Sequence, residues 1–291
     1  MAALKQMQTI QIATINVNGL NIARKRAHVF QTLQNLPYSI IALQETHGNT
    51  DAIKIWEKEW KGKSIWCPTS NSHSSGVAFL FNENFNATVV HHKCDADGRA
   101  LGIHIKFQNS NFQILNIYAP TKVSKRPFFL SNILNYSYAN LPLILLGDFN
   151  MVEDPSIDRA CTSDPQTTIG LKQLNKIKDE HGLIDAWRSS NPKRKQYTWT
   201  NKQQTQQSRI DRIYAPKTWI PKAYITSIIP FAWSDHDIVR TKLTIPGTTK
   251  RGPGTWKLNT SLLHDQQYKT SIKNFYQNWV LKKQFFKDIK Q

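Results

Sequence analysis

The eight residues Leu143-Ile144-Leu145-Leu146-Gly147-Asp148-Phe149-Asn150 constrain the fold more than any other stretch of the chain. Four large aliphatic residues in a row, bounded by Pro142 and Gly147, leave no polar face, so they predict a strand buried at the centre of a sheet. Asp148 and Asn150 follow two positions apart, on one side of an extended chain. A carboxylate and a carboxamide fixed at the rim of a rigid sheet can take a proton or hold a cation, and can donate hydrogen bonds to developing negative charge. The plain alternative is a strand-end turn. Against it stands the way other strands of this chain end.

Residues 10–17 are β-branched and apolar, and they run into Asn16-Val17-Asn18-Gly19-Leu20, with Asn16 and Asn18 expected on one side of the strand end. Ala27, Phe30 and Leu33 recur at helical spacing before Pro37, and Ile40-Ile41-Ala42-Leu43 forms a second buried strand ending in Gln44-Glu45-Thr46-His47. A carboxylate at that end, Glu45, is costly unless it is solvated or holds a cation. Residues 51–60 read as a helix with Ile53, Trp56 and Trp60 on one side. Residues 76–81, 87–91, 101–107 and 112–118 read as four successive antiparallel strands, the last ending in Tyr118-Ala119-Pro120. Helical stripes (Leu130, Ile133, Leu134; then Leu171, Leu174, Ile177) bracket the central strand and a polar loop carrying Asp158-Arg159. Residues 197–201 and 208–215 predict a hairpin whose tip, 202–207, has a Lys and several Gln and nothing apolar. Arg209-Ile210-Asp211 opens the second arm, and Trp233-Ser234-Asp235-His236 precedes a last apolar strand.

Beyond residue 245 the composition changes. Pro246-Gly247 and Gly252-Pro253-Gly254 are linker signals, nine Lys or Arg face two Asp or Glu, and Tyr268, Ile272, Phe275, Tyr276 and Trp279 keep a helical stripe. We therefore expect a main domain over 1–245 and a basic linker and amphipathic helix over 246–291. Over the whole chain, 38 Lys and Arg against 20 Asp and Glu give a formal charge of +18, which calls for a polyanionic partner. No apolar run is long enough to span a bilayer, and the first residues lack the apolar core of a signal peptide, so a soluble intracellular protein without a membrane partner is expected. Cys67, Cys94 and Cys161 are odd in number and widely spaced, which suggests reduced thiols rather than a disulfide framework or a zinc site.

The strand-end groups Asn16, Asn18, Glu45, Tyr118, Asp148, Asn150, Asp211, Asp235 and His236 together suit phosphodiester hydrolysis. That reaction needs a hard cation on a non-bridging oxygen, a base for water, donors to the phosphoryl oxyanion and an acid or metal at the leaving oxygen. Glu45 and Asn18 offer oxygen ligands for Mg²⁺, which keeps several waters and few protein ligands. Asp148 can deprotonate water while Asn150, Asn16 and Tyr118 donate to phosphoryl oxygens. His236 can donate to the phosphate if Asp211 fixes its tautomer and favours its charged form.

Asn16-Val17-Asn18-Gly19-Leu20, Gln44-Glu45-Thr46, Tyr118-Ala119-Pro120, Gly147-Asp148-Phe149-Asn150, Arg209-Ile210-Asp211 and Ser234-Asp235-His236 resemble, in order, the motifs of the exonuclease, endonuclease and phosphatase superfamily. Within it the chain is most similar to the apurinic-like endonuclease domain of non-LTR (LINE) retrotransposon ORF2 polyproteins. The segment Gly252-Pro253-Gly254-Thr255-Trp256-Lys257-Leu258-Asn259 resembles the join to the reverse transcriptase. The resemblance implies an α/β fold, a four-layer sandwich of two packed mixed or antiparallel sheets flanked by helices. It implies a nick in double-stranded DNA dependent on Mg²⁺ or Mn²⁺, leaving a 3′-hydroxyl that primes reverse transcription. Its partners would be double-stranded DNA and the rest of the polyprotein, including the reverse transcriptase, with synthesis in the cytoplasm and action in the nucleus. It further implies that Asp148 acts on the nucleophilic water, Glu45 holds metal, Asp211 supports His236, Asp235 is a second cation ligand, and Arg159 and Thr198 contact DNA. Many relatives carry Asn where this chain has Thr121, and a hydroxyl replaces only one of that amide's hydrogen bonds to DNA. The hairpin 198–208, with Lys202 at its tip and Ser208 at its base, is expected to select the target through minor-groove shape.

Three alternatives remain open on sequence. An abasic-site repair endonuclease would use the same residues, although its chemistry has no need of the basic tail. A catalytically silent DNA-binding module would keep the charge and lose the site, whereas every catalytic position here is filled. A membrane-surface phosphodiesterase would suit the charge, but its contact loop would be apolar rather than a Lys and Gln hairpin.

Overall fold

The computed structural model describes residues 8–69, 74–160, 165–221, 226–246 and 259–288. It divides into two compact units, 1–248 and 249–291. In the first, the described chain runs β1 (Gln8–Asn16), α1 (Ala23–Gln34), β2 (Ile40–Gln44), α2 (Thr50–Glu59), β3 (Ser64–Cys67), β4 (Val77–Phe81), β5 (Thr88–Cys94), β6 (Ala100–Phe107), β7 (Ser110–Tyr118) and α3 (Arg126–Asn132). It continues through β8 (Leu143–Asp148), α4 (Pro155–Asp158), α5 (Leu171–His181), β9 (Leu183–Asp185), α6 (Ala186–Ser190), β10 (Trp199–Thr200), β11 (Gln207–Ser208), β12 (Asp211–Pro216), β13 (Ser227–Ile229) and β14 (Ile238–Ile245).

The strands form two six-stranded mixed sheets, ordered β13-β14-β1-β2-β4-β3 and β5-β6-β7-β8-β12-β9. Each has a single parallel pair at its centre, β1 with β2 and β7 with β8. The alternation of side chains along β8 shows how the layers are made. Ile144 and Leu146 enter the core between the sheets with Ile12, Ala42, Phe79, Ile103 and Ile213. Leu143 and Leu145 point the other way, into the layer under α3 and α5 with Leu130, Leu174 and Ile177. On the first sheet Ala13, Ile15, Ile41 and Leu43 likewise face Phe30, Leu33, Ile53 and Trp56 of α1 and α2. The result is the four-layer α/β sandwich, with strands hydrophobic on both faces because both faces are covered.

Two sequence expectations change. The four strands that follow one another from residue 76 do not all pair in succession: β4 joins β2 and β3 in the first sheet, and the chain crosses to the second sheet before β5, β6 and β7 form their meander. Periodicity gives each strand, but the sheet it joins is settled by the shared core. Cys67 and Cys94 are joined in a disulfide, with Cα atoms 5.5 Å apart, so the expectation of reduced thiols fails for this pair. The two residues lie 27 positions apart, at the ends of β3 and β5 in opposite sheets, a proximity that only the crossover creates. Cys161 and the 252–258 stretch lie outside the described residues.

In the second unit, α7 (Gln266–Asp288) forms where the apolar stripe predicts a helix, and Ile272, Phe275, Tyr276 and Trp279 are exposed on it. Among the described residues no helix is long and apolar enough to cross a membrane.

Candidate active site at the polar rim of the two sheets

The inward-facing stripe of each central strand is apolar along its length and turns polar at one end. Ile10, Ile12, Thr14 and Asn16 share a face of β1; Ile114, Asn116 and Tyr118 share one of β7; Ile144, Leu146 and Asp148 share one of β8. Asp211 opens β12 and pairs with Asp148. Both sheets therefore deliver polar side chains to one rim. Between them lies a buried network in which the Gln44 carboxamide donates to Thr14 Oγ1 (2.9 Å) and Asn116 Oδ1 (2.7 Å), while Asn116 Nδ2 donates to the carbonyls of Leu43 and Ala78 (both 2.9 Å). Each member sits one or two residues before Asn16, Glu45 or Tyr118. All three are fully buried polar groups with partners, so the sheets are held in register next to the site.

Beyond the strand ends the backbone turns sharply. Asn18, Glu45, His47 and Asn150 all have positive φ, between 47° and 59°, which is uncommon for side-chain-bearing residues and concentrates at functional sites. The Asn150 amide donates to Asp148 Oδ1 (2.8 Å), closing a turn. Hence Asp148 and Asn150 meet through a turn rather than along an extended strand, and Asn16 and Asn18 likewise: the Asn18 amide donates to Asn16 Oδ1 (3.0 Å). Gly147 makes this end possible. Its φ is +131°, and a Cβ there would stand 2.0 Å from the Ile117 carbonyl oxygen.

The polar groups form one chain of contacts. Asn16 Nδ2 donates to Glu45 Oε1 (2.8 Å) and to Asp148 Oδ2 (3.0 Å), tying the sheets together across the rim. Asp211 Oδ2 lies 2.8 Å from His236 Nδ1, which leaves His236 Nε2 4.0 Å from Asp148 Oδ2. Tyr118 is hydrogen-bonded to Glu45, and Arg99 lies 4.9 Å over its ring. Asp235 accepts from Asn18 Nδ2 (2.9 Å) and from the Trp199 indole (3.1 Å), and Lys25 grips the carbonyls of Val17 (2.7 Å) and Asn18 (2.6 Å).

Charge is distributed unevenly. Burial would raise Glu45, but hydrogen bonds from His47, Asn16 and Tyr118 and the charge on His236 outweigh it and hold its pKa at about 2. Asp148 goes the other way: burial and the Asp211 carboxylate raise it to about 7, against opposition from His236, Asn16 and Asn150. Burial disfavours charge on His236, yet the Asp211 charge and hydrogen bond, with Asp148 and Asp235, lift it to about 10. Burial and the adjacent Glu45 and Asp148 charges keep the Tyr118 hydroxyl protonated. Two neighbouring carboxylates, Glu45 and Asp148, are thus pushed to opposite sides of their usual range, which suits them to different roles.

A cavity of about 310 Å³ opens above this cluster, lined in part by Asn18, Glu45, Thr121, Asn150, Arg159 and Ser208, with Asp235 and His236. Of the sequence-named residues it gathers these eight. Asn16, Asp148 and Asp211 lie just beneath, each at most 1% exposed. Asn16 does not fit the expected role of phosphoryl donor, because both protons of its amide are spent on Glu45 and Asp148; it positions them. Thr198 is 1% exposed and its hydroxyl accepts from the amides of Ile210 and Asp211 (both 3.0 Å), so it holds the start of β12 and is not open to DNA. Lys202 is exposed at the hairpin tip, where Asn201 Oδ1 accepts from the amides of Thr205 and Gln206 (2.8 and 2.9 Å). The hairpin's strands are only two residues each, and its base is joined to the site by bridges from Trp199 to His236 and from Ser208 to Arg159.

Sequence reasoning missed Trp199, Lys25 and the Gln44–Asn116 network. It also missed the buried ion cluster beneath Arg159, where Asp158 meets Arg209 (2.7 Å) and Arg188, and Arg209 reaches Asp185 (2.6 Å). Burial alone would raise Asp158, but Arg212, Arg209 and Arg188 hold it at about 2. A sequence signal existed only for the last: Arg209 and Arg212, flanking Ile210-Asp211 at the head of an apolar strand, need acidic partners somewhere.

For a divalent cation, Glu45, Asn18 and Asp235 line the cavity with oxygen-bearing side chains, and Glu45 is ionised far below neutral pH; these fit a hard divalent cation. Asp148, Asp211 and His236 also place ligand atoms within 4.8 Å of one another. Because His236 is held protonated, a metal would there have to displace a proton.

Two mixed sheets face to face, with a polar rim of carboxylates, amides and a charged imidazole, define a hydrolase-like sandwich whose site straddles both sheets. The Endonuclease/Exonuclease/phosphatase family matches residues 13–236, and the chain belongs to it. Among curated proteins it is 28% identical over 275 residues to the Transposon TX1 uncharacterized 149 kDa protein of Xenopus laevis, covering 93% of this chain and 21% of that protein. It is 23% identical to Craniofacial development protein 2 of Bos taurus, covering 69% of this chain and 38% of that protein. The chain thus spans between about a fifth and two fifths of the length of these relatives. Among solved structures, the Xenopus laevis APE2 catalytic domain superposes with a TM-score of 0.65 at 21% identity, over 82% of this chain and 94% of that one. The AP endonuclease LMAP of Leishmania major gives 0.68 at 17%, over 82% and 89%.

Proposed function

We propose that this chain is a DNA endonuclease dependent on Mg²⁺ or Mn²⁺ that nicks duplex DNA as the endonuclease part of a LINE-type retrotransposon polyprotein, leaving a 3′-hydroxyl for reverse transcription. The observation that carries the hydrolytic part is the Glu45–Asn16–Asp148···His236–Asp211 chain at the floor of one cavity, with Asp148 raised and His236 held charged. Support for the transposon context comes from the TX1 protein, whose match takes in 93% of the chain and so runs past the sandwich into the tail. On this reading the tail from residue 246 leads to a reverse transcriptase, and the protein is made in the cytoplasm and acts in the nucleus.

Glu45, Asn18 and Asp235 would hold the cation, which supplies charge neutralisation at a non-bridging phosphate oxygen when bound. Asp148, once ionised, accepts the proton of the attacking water. His236, its Nδ1–H fixed on Asp211, presents a charged Nε2–H to the phosphate, and the Asn150 amide proton not given to Ala119 adds a second donor. Arg159, partly exposed and lining the cavity, is placed to take a flanking phosphate. The fold likeness to AP endonucleases favours abasic-site cleavage as the second reading.

Incubation of supercoiled plasmid with the protein in Mg²⁺, then in chelator, tests the first reading. Single nicks that a polymerase extends directly from their 3′ ends support it; no nicking in Mg²⁺ or Mn²⁺ overturns it. Cleavage confined to duplexes carrying an abasic site gives the second reading instead.

A further inference from the structure

Beside the catalytic cavity lies a larger cavity of about 660 Å³. Thr121 lines both. Resting on the nuclease reading, we propose that this second cavity is a nucleoside subsite, taking one unstacked nucleotide of the substrate strand next to the nick. Its volume is in the range of small-molecule sites. Its chemistry is mixed in the way a nucleotide requires. Phe128 on α3 is 77% exposed at the rim, an unusual position for a large aromatic ring on a helix whose buried side is already filled by Leu130. The exposed ammonium groups of Lys122 and Lys125 stand on the same loop and suit the phosphates on either side of a base. At the opposite wall Asp95 is engaged, accepting from the Tyr136 hydroxyl (2.8 Å) and the Arg99 amide (3.0 Å), whereas Asp97 is exposed toward the cavity.

A ring to stack on, cations for phosphate and a carboxylate acceptor select a base carrying an amino group, so cytosine, adenine or guanine over thymine. A carboxylate would repel a phosphate, so the base rather than the backbone occupies the inner end. Arg99 connects the two sites, since its guanidinium lies over the Tyr118 ring and its Nη1 donates to the Tyr118 carbonyl (3.4 Å).

The test uses the whole chain in chelator, with duplexes carrying one 2-aminopurine moved through each position around the mapped nick. One position should change its fluorescence on binding, and Phe128→Ala should abolish that change and weaken binding about 5- to 150-fold, the range for one stacked base. Asp97→Asn should keep the stacking signal and reduce the preference for cytosine over thymine at that position. If duplex is bound and nicked but no position responds, or if Phe128→Ala leaves the response intact, the subsite is refuted while the nuclease reading stands. If the wild-type protein neither binds nor nicks duplex in Mg²⁺, the nuclease reading fails and the subsite with it.

Discussion

Asp211→Asn isolates the electrostatic core of the site. The imidazole of His236 titrates at about 10 rather than 6.5, a rise worth roughly 5 kcal/mol at about 1.4 kcal/mol per pH unit. Burial opposes that rise, and the Asp211 charge and hydrogen bond are the largest contributions that overcome it, ahead of Asp148 and Asp235. With a neutral amide at 211, His236 is left buried with Asp148 at 4.0 Å as its nearest anion, and we expect its midpoint to fall by at least about two pH units. Asp211 also raises Asp148, so Asp148 should ionise more readily in the variant. The nicking window, set in the wild type by Asp148 near 7 and His236 near 10, should therefore move bodily to lower pH. Stability follows the same sign. A group raised in the folded state stabilises fully below its unfolded value and loses that contribution as pH rises through the folded value, so the wild type should weaken between about pH 7 and 10 and the variant should be flatter there. Imidazole NMR titration in metal-free protein, pH–rate profiles for nicking, and urea midpoints at pH 6.5 and 9.5 measure the three effects. An unmoved His236 midpoint together with an unmoved alkaline limb would refute the argument.

Glu45→Gln should raise the Mg²⁺ concentration for half-maximal nicking at least about tenfold, read by metal titration, because one anionic ligand is lost from a site with few protein ligands. Gly147→Ala should lower the thermal midpoint by more than about 6 °C by circular dichroism, since a methyl 2.0 Å from the Ile117 carbonyl forces the rim apart. Asn116→Leu should cost about 1–3 kcal/mol by removing the partner of one Gln44 amide proton and the amide that the Leu43 and Ala78 carbonyls accept from, and should reduce kcat more than duplex affinity. Replacing 202–207 with a short Gly-Ser turn should redistribute mapped nick sites while Asp148-dependent cleavage persists.

Much of the site was readable in the residues because each central strand spends its inward positions on aliphatic side chains and then places a polar one at the same end. A pattern of that kind has no packing explanation on its own. The turns were less readable: Asn18, Glu45 and Asn150 leave their strands with positive φ, which an extended-chain spacing argument cannot foresee. Burial depth was not readable either, and it reassigned Thr198 and Asn16 from contact to support. Nor could spacing show that β4 and β5 lie in different sheets, on which both the Cys67–Cys94 pair and the meeting of Asn116 with Gln44 depend.

The long-range contacts among these also say where the site is stiff. The contacts that join the two halves of the site act across the gap between the sheets: Asn16 to Asp148, Gln44 to Asn116, Asp211 to His236. A slip of one sheet over the other by a fraction of a residue would break all three contacts together while leaving the apolar layers nearly unchanged, because hydrophobic contact is not directional and hydrogen bonds are. The greasy core therefore supplies cohesion, and the polar contacts at its rim supply the alignment that a reacting phosphate needs. The hairpin follows the same division. Its base is tied into the cluster through Trp199, Ser208 and Thr198, but its exposed tip is organised mainly by Asn201. Changes at the tip can then alter which DNA is presented without disturbing the groups that cut it.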